Sequence, residues 1–371
     1  MSPHAAPTTE TAQDLDLCER LIAPDGARTA HPELDRFVAD VDAAQLRALH
    51  HDMVVLRRID AEGFTLQRQG ELGLWAPCQG QEAAQIGTAR ALAPQDFVFP
   101  SYREAGVLHV RGAEPGDFVR TWRGVDGAAY DPDRLRCAPM QIIIGAQSLH
   151  AVGYAMGIRH DGADEVAVAY FGDGATSQGD VSEAMVFAAS YGVPVVFVCQ
   201  NNHWAISEPV SVQSRYPIAG RAPAFGIPSL RVDGNDVLAC LAAMRWALDH
   251  ARSGEGPAFI EAVTYRMGPH TTADDPTRYR DPAEWEAWGA RDPIARLEAH
   301  LRASGELDDA LVAAARADAD AAAREMRAAC TSMAPREPLG VFDAVYAEPH
   351  TGLARQREEY AAYLATLAEE E

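Results

Sequence analysis

The most constraining feature of this sequence lies in its middle third. Two short, almost wholly apolar runs, Val166-Ala-Val-Ala-Tyr-Phe171 and Val193-Pro-Val-Val-Phe-Val-Cys-Gln200, are separated by one helix-length segment. Runs without polar alternation are buried on both faces, which is the signature of parallel strands. Between them Val181, Ala184, Met185, Phe187 and Ala188 recur at helical spacing and supply a right-handed crossover. A helix at about 236–252 and a further strand from Phe259 to Tyr265 repeat the pattern. The expected core is a doubly wound parallel α/β sheet.

The residues at the strand ends carry the next step. The first run leads directly into Gly172-Asp173-Gly174-Ala175, and the second into Asn201-Asn202. In a doubly wound sheet, ligands bind beyond the carboxyl ends of the strands, so Asp173 and Asn202 are expected to enter one crevice from neighbouring strands. A carboxylate, an amide oxygen and a nearby main-chain carbonyl are hard oxygen ligands that suit Mg²⁺ completed by water or phosphate. A helix opening after Gly174 would add amide N–H groups for a diphosphate. Either motif alone reads as an ordinary turn or cap. The two together, one crossover apart, read as a cofactor site.

Composition narrows the chemistry. Of 371 residues, 54 are acidic and 32 basic, and every basic residue is arginine. Without lysine there is no Schiff base, no P-loop lysine and no lysine general base. A formal charge of −22 argues against a nucleic-acid or anionic-membrane partner, both of which need clustered cations. Six cysteines without a CxxC pair fit reduced thiols in a cytoplasm. No apolar run reaches 18 residues, and the N-terminus lacks the pattern of a signal peptide, so no membrane span is expected.

Residues 1–41 mix Pro, Thr, Ala and acidic residues with little periodicity and read as an extended N-terminal arm. An amphipathic helix comes next, from about Asp42 to Gly70, and a second from about Gly80 to Leu92. The α/β domain is expected over 42–305. Residues 306–371, rich in Ala, Arg and Asp, read as a C-terminal helical extension.

The strand-end pair resembles the thiamine diphosphate enzymes, specifically the alpha subunit of the decarboxylating component of 2-oxoacid dehydrogenase complexes. The resemblance runs from about residue 45 to 305. It extends over Gln79-Gly-Gln-Glu-Ala83, Pro100-Ser-Tyr-Arg-Glu-Ala-Gly106, Gly145-Ala-Gln147, Asn202-His-Trp-Ala-Ile-Ser207, Arg231-Val-Asp-Gly-Asn-Asp236 and the segment Tyr265 to Arg280. It implies the thiamine diphosphate-binding fold, with thiamine diphosphate and Mg²⁺ as cofactors. Asp173 and Asn202 would ligate the metal through side chains and Trp204 through its carbonyl, with Gly174 and Ala175 beside the diphosphate. Tyr102 and Arg103 match the family's pair at the diphosphate, Gln200 stands at another diphosphate position, Ile206 matches the residue that props the cofactor into its V shape, and Ile142 and Ile144 match thiamine-lining positions. His270 occupies the place of the family's active-site histidine, where a ring titrating near neutrality would move a proton. Arg266, Asp274, Tyr279 and Arg280 would order the same loop.

Taken alone, Arg103 reads equally as a helix salt bridge with Glu104, and the isoleucines read as ordinary core. Three departures from the family are visible. Gln200 replaces an arginine common in branched-chain members. Gln141 and Ala146 replace hydroxyl residues of a potassium site. Thr271 stands where relatives carry a regulatory serine. The carboxylate that thiamine chemistry needs has no second domain here, so the resemblance implies a separate beta subunit in an α2β2 heterotetramer. Acyl transfer would go to the lipoyl domain of a dihydrolipoyl acyltransferase. The expected substrates are branched-chain 2-oxoacids such as 3-methyl-2-oxobutanoate, with pyruvate as the alternative. A non-catalytic interaction subunit of the same fold stays open from sequence alone, and a Mg²⁺-dependent phosphoryl-transfer enzyme stands last.

Overall fold

The computed structural model describes residues 18–125, 129–343 and 345–368. Its centre is a five-stranded parallel sheet. The strands are β1 (Phe97–Phe99), β2 (Ala167–Gly172), β3 (Val195–Asn201), β6 (Ser229–Asp233) and β7 (Ala258–Val263), in the order β1-β2-β3-β7-β6. A separate two-stranded ribbon joins β4 (Trp204–Ala205) to β5 (Glu208–Pro209). The register sets Gly172 beside Gln200 and Asn201 beside Val263, so the three central strands end almost level.

Thirteen helices are present among the described residues: α1 (Ala43–Arg68), α2 (Glu82–Ala89), α3 (Ala105–Val110), α4 (Arg120–Arg123), α5 (Pro132–Leu135), α6 (Ala146–Asp161), α7 (Gly179–Tyr191), α8 (Val210–Gln213), α9 (Val237–Arg252), α10 (Pro282–Gly289), α11 (Pro293–Ala303), α12 (Asp309–Ser332) and α13 (Thr351–Ala368). Successive side chains of a strand face opposite ways, and each face here is apolar. Val168, Tyr170, Val196, Val198 and Ile260 join Val55 and Ile59 of α1 and Met244 and Ala247 of α9. Ala167, Ala169, Phe171, Phe197 and Phe259 join Ala151 and Ala155 of α6 and Val181 and Met185 of α7. Helices therefore cover both sides of the sheet, as the two continuous apolar runs demand. No helix among the described residues is long and apolar enough to cross a membrane, and all six cysteines are buried.

Three sequence expectations change. Order begins before Asp42: Leu21, Ile22, Leu34 and Val38 are buried against α1, α2 and α9, while residues 1–17 lie outside the described residues. Glu19 pairs with the edge strand β6, its N–H donating to Arg231 O at 3.0 Å and its carbonyl accepting from Asp233 N at 3.0 Å. Asp236 caps α9 through Oδ1 and takes the Leu21 and Ile22 N–H groups on Oδ2, both at 2.6 Å. The C-terminal residues are also less separate than their composition suggests. Ala319, Ala323, Met326 and Cys330 of α12 are buried, and Arg327 reaches Glu62 of α1 at 2.5 Å. Finally, Asp173 to Ser177 form a 3-10 turn, and the crossover helix α7 starts only at Gly179.

Candidate active site

Beyond the carboxyl ends of β2 and β3 lies a cavity of about 270 Å³. β2 delivers Asp173 to its floor, where the residue is 1% exposed and Oδ2 accepts from Gln213 Nε2 at 3.1 Å. Burial pushes this carboxyl up to about 6 against the opposing hydrogen bond from Gln213. The next residue has to be glycine. A Cβ on Gly174 would lie 2.7 Å from the Cβ of Ala205 on the facing ribbon.

β3 delivers Asn202, which is buried; its Oδ1 accepts from Trp204 N at 3.3 Å and its Nδ2 donates to Gln81 at 2.9 Å. The β4–β5 ribbon then turns back over the cavity. His203 and Ile206 both adopt left-handed backbone conformations, with φ of +72° and +56°. Such a conformation costs a β-branched residue on the order of 1–3 kcal/mol and persists only where its surroundings enforce it.

Arg266 supplies the enforcement. Its fully buried guanidinium donates from Nη1 to Trp204 O at 3.0 Å and from Nη2 to Ile206 O at 2.7 Å and Tyr279 Oη at 2.8 Å. Burial and then the charge of Arg103 lower it to about 10. Arg103 is buried too. It donates to the carbonyl of Pro77 and, from Nη2, to His270 O at 2.8 Å, so the alternative of a surface salt bridge with Glu104 does not hold. Among the described residues neither guanidinium meets a carboxylate within salt-bridge distance, which leaves two buried positive charges without a direct anionic partner, and of the two Arg103 lines the cavity.

His270 differs from its expected titration. Its Nδ1 faces Arg103 Nη2 at 3.2 Å and Arg266 Nη1 at 3.3 Å, and its ring stands edge-on to Tyr102 with centroids 6.1 Å apart. Burial, then the charges of Arg103 and Arg266, push it down to about 3. A ring that accepts at Nδ1 carries its proton on Nε2. His270 is therefore a neutral donor rather than a group titrating near neutrality. Its loop is fixed by Asp274 Oδ2, which accepts from His270 N at 2.7 Å and from Tyr279 Oη at 2.5 Å, while Arg280 Nη1 donates to Met267 O at 3.0 Å.

A further polar series is not visible in the sequence. Gln200 Nε2 donates to Glu104 Oε1 at 2.7 Å, Gln81 Nε2 to Gln200 Oε1 at 3.0 Å, and Asn202 Nδ2 to Gln81 Oε1 at 2.9 Å. Burial raises the Glu104 carboxyl to about 7. The only signal for it along the chain is an acidic residue placed just before an apolar helix, and such residues are usually solvated.

Tyr102, Arg103, Ile144, Asp173, Gly174, Ala175, Gln200, Asn202, Trp204, Ile206 and His270 all line the cavity, joined by Gln81, Glu104, Gln147 and Gln178. Ile142 does not. It is 56% exposed and forms, with Ile143 and Ile144, an apolar rim that Ile206 continues at 56% exposure. The donor set fits a hard cation. Among the described residues no group of three or more His, Cys, Asp or Glu side chains could hold a metal, but residues offering one carboxylate, one amide oxygen and one carbonyl line the same cavity, a donor set that suits Mg²⁺ with added water and phosphate oxygens. The Trp204 carbonyl already accepts from Arg266, which leaves its second lone pair. The uncompensated Arg103 guanidinium fits a diphosphate.

Residues 50–338 match the family described as dehydrogenase E1 component. The chain is 49% identical over 347 residues, 93% of this chain and 94% of the relative, to the 3-methyl-2-oxobutanoate dehydrogenase subunit alpha of Mycobacterium tuberculosis. It is 40% identical over 325 residues, 86% of this chain and 93% of the relative, to the pyruvate dehydrogenase E1 component subunit alpha of Acholeplasma laidlawii. The match covers most of the chain's length, and the chain belongs to the dehydrogenase E1 component family.

Proposed function

We propose that this chain is the alpha subunit of a branched-chain 2-oxoacid dehydrogenase. With a beta subunit, in an α2β2 heterotetramer in the cytoplasm, it would oxidatively decarboxylate substrates such as 3-methyl-2-oxobutanoate and pass the acyl group to the lipoyl domain of a dihydrolipoyl acyltransferase. The buried Arg103 guanidinium, which has no carboxylate partner among the described residues and lines the cavity together with the strand-end oxygen donors, carries the reading of the site. The identity of 49% to a 3-methyl-2-oxobutanoate enzyme, against 40% to a pyruvate enzyme, supports the substrate.

When bound, thiamine diphosphate supplies the electron sink that accepts the pair released as CO₂ leaves. The residues of this chain do the rest of the work on this side of the site. Asp173, Asn202 and the Trp204 carbonyl would hold Mg²⁺, and Gly174, Ala175, Tyr102, Arg103 and Gln200 would surround the diphosphate. Ile144 and Ile206 would exclude water from the thiamine. Neutral His270 would donate from Nε2 to an oxygen that gains negative charge, at no cost of recharging the ring. The test is the ratio of kcat/KM for 3-methyl-2-oxobutanoate and pyruvate with the beta subunit present. A preference for the branched substrate of about tenfold or more is expected, and a preference for pyruvate overturns the assignment.

A further inference from the structure

We propose that Glu104 is a positioning residue: through Gln200 and Gln81 it fixes which way the Asn202 amide points, so that Asn202 Oδ1 rather than Nδ2 is offered to the divalent cation. The inference rests on the assignment of Asn202 as a metal ligand.

A primary amide has nearly the same shape in its two orientations, so its hydrogen-bond partners decide which end faces which way. Glu104, whose carboxyl is raised to about 7, is ionised above that pH, and an ionised carboxylate has no such ambiguity because it accepts only. Glu104 receives the main-chain N–H of Arg103 on Oε2 at 3.2 Å, and a backbone donor cannot turn away. Oε1 must then also be met by a donor, and Gln200 presents Nε2 to it at 2.7 Å. That choice turns Gln200 Oε1 toward Gln81 Nε2 at 3.0 Å. Gln81 in turn offers only its oxygen to Asn202, which answers with Nδ2 at 2.9 Å. Asn202 Oδ1 is left on the far side, where the longer contact from Trp204 N, 3.3 Å, favours the same orientation.

All four side chains are buried. Each is nearly inaccessible to bulk solvent, so flipping any one member sets two acceptors or two donors against each other along the whole series. The series transmits direction rather than charge. Its failure would present an N–H₂ group to a cation.

The test uses the assembled alpha and beta chains above neutral pH, where Glu104 is ionised, with Mn²⁺ titrated in the absence of thiamine diphosphate, so that the place of Gln200 beside the diphosphate does not enter, and bound metal read by electron paramagnetic resonance. Gln200→Met keeps the shape and the Glu104 charge but cuts the series, and it should weaken Mn²⁺ binding by about 10- to 100-fold, the usual effect of losing a group behind a metal ligand. Glu104→Gln should weaken it in the same direction. Adding Gln200→Glu to Glu104→Gln moves the carboxylate one step along, still forces Gln81, and should recover most of the loss. Wild-type Mn²⁺ affinity in Gln200→Met overturns the proposal, because Glu104 would then act through its charge or not at all. If Gln200→Met fails to assemble, absence of recovery in the double variant overturns it. An Asp173→Ala complex that binds Mn²⁺ as well as wild type would instead refute the metal site itself.

Discussion

Arg266 donates from Nη2 to the carbonyl of Ile206 at 2.7 Å, and Ile206 is a β-branched residue held with φ at +56°. One buried cation from the loop after β7 thus fixes an unfavourable backbone conformation in the ribbon after β3. Replacing Ile206 with glycine should remove the conformational penalty and raise the stability of the cofactor-free complex by about 1 kcal/mol. It also removes the side chain over the cavity, so kcat should fall at least about tenfold. Arg266→Met should lower kcat without the stability gain. Thermal melts and steady-state rates on both variants separate the two effects, and an unchanged kcat in Ile206→Gly would contradict the assigned role.

His270 should not titrate in the range where enzymes are assayed. Its folded pKa of about 3 lies below the ordinary 6.5, so the unfolded chain takes up the proton first. The stability contributed by the neutral buried ring is complete above about 6.5 and is lost as pH falls toward 3. NMR of the ring proton should show no inflection between pH 5 and 8 in the cofactor-free complex, whereas a midpoint near 6.5 would mean that the guanidiniums do not face the ring.

Asp173 behaves in the opposite sense. Its carboxyl is raised from 3.8 to about 6, so the unfolded chain ionises first and the native state carries an increasing cost as pH rises between those values. That cost is complete above about 6 and disappears when a cation binds. Asp173→Asn should therefore stabilise the metal-free complex at pH 7.5 by roughly 1–3 kcal/mol and at the same time abolish Mg²⁺ binding. Calorimetry with and without Mg²⁺ checks both; a destabilised metal-free variant would count against the raised carboxyl.

Helix α12 belongs to the core, and truncation should reveal it. Met326 is fully buried among residues that include Val55 and Ile59. Met326→Ala should cost about 2–5 kcal/mol, and removal of residues 306–371 should give a chain that does not fold. A truncated chain with cooperative unfolding would show that the extension is separable.

The central strands are legible in the sequence because a strand buried on both faces cannot hide its composition, and their end-points place Asp173 and Asn202 correctly in one crevice. Strand β1 escapes because it has only three residues, and β6 because an edge strand carrying Arg231 lacks a continuous apolar run. The buried face of α12 is built largely of alanines, which weigh little in a hydrophobic pattern. The burial of Leu21 and Ile22 depends on Asp236, more than 200 residues away in sequence. Glu104, Gln81 and the reach of Arg266 are invisible for the same reason: a buried polar group is defined by a partner that local sequence does not name.

The isoleucine rim at the mouth of the cavity has a cellular consequence. Ile143, at 71% exposure, lies in sequence between the exposed Ile142 and the cavity-lining Ile144, and the cavity-lining Ile206 is exposed as well, so a copy without the proposed beta subunit carries a greasy lip. Chaperones and proteases bind such surfaces, and surplus copies aggregate through them. In the proposed heterotetramer, where a beta subunit would cover this lip, production of the two chains would have to be matched in amount and time, which makes subunit stoichiometry a property enforced by quality control as much as by gene dosage.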